Sequence, residues 1–330
     1  MKRIRPMKTV LTALLLASLL PLTGACSLSG TPSTAPVPSS TVPAAEAPAE
    51  MTRQGTATLY FRYLDEPYLA PETRVVNQTP SRPYEQVLIS ALLSGPTGHD
   101  LTALFPPGTR VISTARQGRT LFITFSQELL NAYGDEPDTW ASDPAWQAEV
   151  PLRRLLCMQG IAATITENCD VDRVQILVQQ DTSAISSLRL EKRYFMLGET
   201  GLADPIVRDD SLLLTAERTL SVILELWQQK DWQRMYLYIA RQDGGTGLDR
   251  PVYRDFIAAM DALPALTEAS FTGGSVSTDG SVTTFSLSAR LRMPDGSDED
   301  RPARTLRLRR EDGLWRITMT QLTAWMEVSP

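Results

Sequence analysis

The chain has 330 residues, one His, three Cys and a formal net charge of −6 from 32 Lys and Arg against 38 Asp and Glu. An acidic balance gives no footprint for DNA or RNA, which excludes nucleic acid as a partner, and so few His and Cys leave little for a zinc site or a Ser-His-Asp or Cys-His set. The hydrophobic content of 42% is that of a globular protein, and the length fits about two domains.

Lys2, Arg3, Arg5 and Lys8 precede an apolar run from Val10 to Leu20, broken by Thr12 and Ser18 and ended by Pro21. This is a signal-peptide h-region, too short to span a bilayer. Leu22-Thr23-Gly24-Ala25-Cys26 resembles a bacterial lipobox, with Thr23 where Leu usually stands three residues before the Cys. Residues 1–25 are therefore the expected signal and Cys26 the expected lipidation site; cleavage near Ala25 with free secretion is the alternative. Two or more acyl chains make a stable anchor, at about 0.8 kcal/mol per buried CH₂. Residues 1–25 hold four cationic side chains and no acidic one, so their removal takes the net charge from −6 to −10. Anionic lipid repels such a chain. Residues 26–54, with Pro32, Pro36, Pro38, Pro43 and Pro48 among Ser, Thr and Ala, read as a semi-extended tether.

The first folded region is expected over residues 55–180. Thr56–Leu64 reads as a strand. Tyr84, Val87, Leu88, Ala91 and Leu92 keep helical spacing between Pro83 and Gly95-Pro96. Thr109–Thr114 and Thr120–Phe125 form a hairpin across Arg116–Arg119. Ser126–Asp143 reads as loop with a helical turn at Gln127–Asn131, and Trp146 to Ile161 as a long helix in which Pro151 marks a kink or the true start. Val171–Val178 is a last strand. The order is βαββαβ, one sheet covered on one face by two helices, an α+β fold.

Leu59-Tyr60-Phe61, Leu69-x-Pro71-Glu72-x-Arg74-Val75-Val76 and Leu92-Leu93-Ser94-Gly95-Pro96 resemble the GerMN domain of bacterial sporulation and germination proteins, as do Phe105-Pro106-Pro107-Gly108-Thr109, Phe125-Ser126 and Val171 to Val178. The likeness covers about residues 56–180, in order. It implies a GerMN-type fold similar to ring-building motifs, and an assembly role in the envelope, where paired domains of this type serve the channel complex between mother cell and forespore. This chain shows one such domain. Implied partners are the membrane, through the lipid on Cys26, envelope or sporulation-complex proteins, and further copies of the chain in a homo-oligomer.

Residues 181–210 are expected as a connector, with Tyr194-Phe195-Met196-Leu197 packing on the first region or forming an edge strand. Residues 211–330 form the second. Leu220, Ile223, Leu224 and Trp227, then Trp232, Met235, Tyr236 and Ile239, mark one or two helices, and Tyr253, Phe256, Ile257 and Met260 another. Four strands are expected at Ala269–Ser277, Ser281–Met293, Ala303–Arg310 and Leu314–Gln321, turned by Asp279-Gly280, Asp295-Gly296 and Asp312-Gly313. Helices followed by a meander resemble the NTF2-like (cystatin-like) cone, a fold that does not fix a function.

No catalytic set, cofactor site or metal site is expected. His99 has no second His beside it. Asp295, Asp298, Glu299 and Asp300 lack EF-hand spacing, Gly244-Gly245-Thr246-Gly247 lacks a third dinucleotide glycine, and G-x-S-x-G and S-x-x-K are absent. Arg74 reads as a loop clamp through a carboxylate. Trp140 and Trp146 read as lid packing, a ligand cage or a protein interface. Cys157 and Cys169 read as two thiols unless the chain folds back at Gly160. The expected function is that of a non-enzymatic, membrane-anchored assembly module in sporulation or germination. The alternative is a ligand-binding lipoprotein with a pocket lined by Trp227, Trp232, Tyr236 and Trp315.

Overall fold

The computed structural model describes residues 52–180, 186–242 and 250–326. The expected signal peptide, Cys26, most of the expected tether and Gly244 to Gly247 lie outside the described residues. Strand β1 (Arg53–Tyr63) buries Leu59, Phe61 and Tyr63 and pairs antiparallel with β2 (Leu69–Gln78). Helix α1 (Tyr84–Leu93) covers them with Leu88, Ile89 and Leu92, and β3 (Leu101–Thr102) closes this sheet in the order β2-β1-β3. A second sheet holds β4 (Val111–Gln117) and β5 (Thr120–Phe125), which form the expected hairpin. Helix α2 (Pro144–Asn168) then crosses to β6 (Arg173–Gln179), parallel to β5. Two short strands pair with β6: β7 (Ser187–Arg189) and β8 (Ile206–Val207). The α+β class stands, as do the first helix, the β4–β5 hairpin and the long second helix before the last strand. The single expected sheet is divided in two, and β2, which carries the Leu69–Val76 motif, is an additional strand.

Helix α2 separates the two sheets. Asp143 caps it by accepting the Ala145 N–H (2.9 Å), Pro144 sits in its first turn, and it runs through Pro151 and Gly160 to Asn168. From Leu156 to Ile165 every residue except Gln159 is buried, the signature of a helix covered all round. Gly160, Thr164 and Asn168 recur every fourth residue and so share one face. That face lies on β1. The Tyr60 N–H donates to Thr164 Oγ1 (3.1 Å), and Asn168 takes the Thr58 N–H (3.0 Å) and donates to the Thr58 carbonyl (2.7 Å). Side chains of a helix thus satisfy backbone groups of a strand. Gly160 permits the approach, since a Cβ there would stand 3.1 Å from the Tyr60 carbonyl and collide with Leu104.

In the C-terminal half, Thr215 caps α3 (Ala216–Gln229) by accepting the Arg218 N–H (3.2 Å), and Lys230 ends it at φ 55°. Helix α3 buries Leu220, Ile223, Leu224 and Trp227, and α4 (Trp232–Met235) and α5 (Tyr253–Asp261) follow. Strands β9 (Ala265–Val276), β10 (Val282–Arg292), β11 (Asp298–Glu311) and β12 (Leu314–Arg316) form an antiparallel meander. Along β10 the buried side chains alternate, from Thr283 through Phe285, Leu287 and Ala289 to Leu291. Asp312 and Gly313 both have positive φ, 52° and 85°, as a two-residue hairpin turn requires. The expected fourth strand stops at Arg316. Thr318 Oγ1 accepts the Gln321 N–H (3.1 Å), and α6 (Met319–Met326) packs Leu322, Trp325 and Met326 inward. Helices followed by this meander are consistent with an NTF2-like cone.

Candidate functional site

Buried charge concentrates where the two halves meet. Arg316 on β12 is buried and donates to Asp100 (2.6 Å) and to the Tyr63 hydroxyl (3.2 Å); Arg241 donates to both oxygens of the same Asp100 at 2.7 Å. Glu66, buried, accepts two bonds from Arg234 (2.8 and 2.6 Å) and one from the Tyr238 hydroxyl (3.3 Å), and the Tyr63 and Tyr238 rings lie 5.4 Å apart. Arg62 pairs with Glu149 of α2 and reaches the Glu66 carbonyl (2.9 Å). Each carboxylate here is held by at least one guanidinium, so the seam is a structural joint with its oxygens already engaged.

Beside the seam is a polar cleft of about 420 Å³ that includes Glu72, His99, Asp100, Arg241 and Asp312. Glu72 accepts the Thr97 and Gly98 N–H groups (2.7 and 2.9 Å), and Arg74 binds Glu72 and the Ala91 and Gly95 carbonyls (both 2.9 Å). The expected Arg74 clamp is present and ties the loop after α1 to β2. Burial works to raise the Glu72 carboxyl, but the Gly98 and Thr97 amides and Arg74 together hold it below the ordinary carboxylate range. His99 is exposed on this loop.

A second groove, of about 700 Å³, is lined by residues 127–194 of the N-terminal half. Its apolar lining includes Leu130, Trp140, Val178 and Leu188, and Arg154, Arg189 and Arg193 stand among them with Glu191. The Arg154 guanidinium lies between the Trp140 and Tyr194 rings, 5.6 and 5.0 Å from their centroids. Tyr194 is buried and donates to the Leu129 carbonyl (2.6 Å), so Tyr194 and Phe195 pack on the first region as expected, while Met196 and Leu197 are exposed. Composition gives no sign of this groove, because its walls come from segments some sixty residues apart, joined by single contacts such as Tyr194 to the Leu129 carbonyl and Gln127 to the Gln180 carbonyl.

The remaining sequence candidates are scattered. Cys157 is buried in α2, and Cys169 caps the same helix; both are free thiols. Burial raises the Cys157 thiol, and burial with the nearby Glu85 pushes Cys169 up to about 11, so neither is a thiolate at neutral pH. Trp146 lies over Arg153 (5.3 Å) and Trp140 over Arg154, which matches lid packing. Asp298 and Asp300 pair with Arg292 and Arg290 on the exposed sheet face. Trp227 is buried edge-on against Trp325 (6.4 Å), and Trp232 donates to Asp261 (2.7 Å), so these rings are core. Among the described residues no three His, Cys, Asp or Glu side chains gather to hold a metal ion, and no helix is long and apolar enough to cross a membrane.

These features describe an α+β protein in two joined halves, with charged pairs across the seam and an open groove beside β7. Residues 58–183 match the model of the Germane family, described as sporulation and spore germination. Among solved structures, the tandem GerMN domains of the sporulation protein GerM from Bacillus subtilis are 19% identical, over 48% of this chain and 48% of that one, with a TM-score of 0.32. The chain thus matches about half the length of that tandem structure. The first GerMN domain of the same protein is 18% identical over 46% of this chain and 97% of that one, TM-score 0.29. A Clostridium perfringens protein described as a candidate lipoprotein is 20% identical over 48% and 89%, TM-score 0.28. Comparison with curated proteins gives no match.

Proposed function

We propose that this protein is an extracytoplasmic lipoprotein, anchored through Cys26, that serves as an assembly module in sporulation or spore germination and works by contact rather than by bond-making chemistry. The observation that carries the reading is the match of residues 58–183 to a family described by sporulation and germination. The lipobox-like Leu22 to Cys26 segment and the Pro-rich residues 26–54 support the anchor. Two raised thiols, and carboxylates at the seam already held by arginines, support a role without catalysis. Of the four aromatic residues expected to line a C-terminal pocket, Trp227 and Trp232 are spent on packing, Tyr236 packs on Phe256, and Trp315 borders a separate cavity of about 250 Å³, so the four do not form one pocket. The test is deletion of the gene in a sporulating host, with heat-resistant spores and germination scored. A fall in either is expected, and normal values in both overturn the reading.

A further inference from the structure

We propose that the groove beside β7 is a docking site for an extended acidic peptide of a partner protein, one that alternates carboxylate and bulky apolar side chains and adds to the edge of β7 as a new strand. This names the kind of partner for the assembly role above and rests on that reading. Strand β7 ends its sheet. The Leu190 N–H donates to the Ile176 carbonyl (3.3 Å) and the Gln180 N–H to the Ser186 carbonyl (2.8 Å). Hydrogen-bonded pairs alternate in an antiparallel ladder, so Ser187 and Arg189 turn their own N–H and C=O groups away from β6. An unpaired edge of this kind accepts an extended peptide through its main chain.

The side chains specify what the peptide carries. Leu130 and Leu188 are half exposed, 49% and 55%, and with Trp140 they form an apolar wall for alternate side chains. The Nε–H groups of Arg154 and Arg189 are buried and have no acceptor among the described residues. Arg154 keeps Glu136 at 3.1 Å through another nitrogen; Arg189 donates through another nitrogen to the Ala203 carbonyl (2.5 Å), and its paired carboxylate among the described residues, Asp204, is 3.9 Å away and shared with Lys192 at 3.0 Å. Counting these partners, four cations face three carboxylates among the described residues around the groove, in a chain whose net charge is −6. Two orphaned donors and this local surplus call for carboxylate oxygens, which guanidinium groups bind best.

The probe is a fluorescein-labelled Glu-Leu-Asp-Leu-Glu peptide titrated with the full mature chain, against Lys-Leu-Lys-Leu-Lys and a backbone N-methylated acidic peptide. The expected result is at least tenfold weaker binding of both controls, and at least tenfold weaker binding of the acidic peptide to Leu188→Asp and Arg189→Glu proteins that keep the parent melting temperature. Equal binding of the acidic and basic peptides overturns the proposal. So does an unaffected N-methylated peptide displaced by decanoate, which describes a slot for anionic amphiphiles instead. Failure here with a sporulation defect on gene deletion rejects the site and leaves the assembly reading standing. Binding as expected with normal spores keeps the site and rejects that reading.

Discussion

At Glu72, burial and hydrogen bonding act in opposite directions on one carboxyl. Two backbone amides and Arg74 prevail, so the charged form is favoured in the folded protein. A depressed pKa contributes stability that is present above the unfolded value of about 4.3 and is lost as pH falls through the folded one. Glu72→Gln should therefore cost about 2 kcal/mol at pH 7, and the gap from the parent should narrow progressively as pH falls below the unfolded value of about 4.3, as read by urea unfolding across pH. An unchanged gap at pH 3 would remove the clamp's electrostatic role. Asp100 makes a sharper case, because Arg316 beside it is only 3% exposed in its side chain. Asp100→Ala leaves that guanidinium buried with Glu311, 3.4 Å away, as its remaining carboxylate and should cost about 3 kcal/mol. Asp172→Ala, which removes an exposed partner of Arg119, should cost less than about 1 kcal/mol. Similar losses for both would mean that burial does not set the value of the Asp100 pair. The Arg74 clamp was legible because Glu72 stands two residues away. The Asp100–Arg316 pair was not, since more than two hundred positions separate its members and neither lies in a recognisable pattern.

At the scale of elements, α2 is the informative case. Its capping Asp143 and Pro144 are visible start signals, yet Pro151 and Gly160 both read as interruptions. Tertiary packing overrides them. The stripe Gly160, Thr164, Asn168 fits β1 and no solvent, so residues that weaken an isolated helix are the ones this interface needs. Gly160→Ala gains about 1 kcal/mol of intrinsic helix propensity in an open helix; here it should give no gain, and Gly160→Val should lose about 2 kcal/mol through overpacking. Thermal melts of the two variants decide the point, and stabilisation by Ala would contradict the close approach. Strand β2 escaped the periodicity reading because Pro71 and Glu72 interrupt its apolar alternation. Helix α6 read as strand because a β-rich run from Leu314 to Ile317 continues into it without Gly or Pro; the Thr318 cap was the one start signal available. The GerMN order itself was legible because its turn dipeptides, Gly95-Pro96 and Pro107-Gly108, fall between clear apolar runs.

For the whole molecule, the seam makes the described halves answer to each other. Glu66 of the first half binds Arg234 and Tyr238 of the second, and the Leu214 N–H donates to the Leu69 carbonyl (2.8 Å). Length and composition suggested two regions but carried no sign of this joint, which depends on single residues distant in sequence. Coupling of Glu66 and Arg234 in a double-mutant cycle should exceed about 1 kcal/mol, with one unfolding transition for the parent. Additive losses would describe independent halves. Under the proposed function the chain acts only where an anchor at Cys26 holds it, so the most direct measurement is complementation of the deleted gene in a sporulating host, with heat-resistant spores counted. The account predicts that the full chain restores the count and that Cys26→Ala, made at the same level but released from the membrane, does not. Full restoration by Cys26→Ala, or an undiminished count in the deletion strain itself, would contradict it.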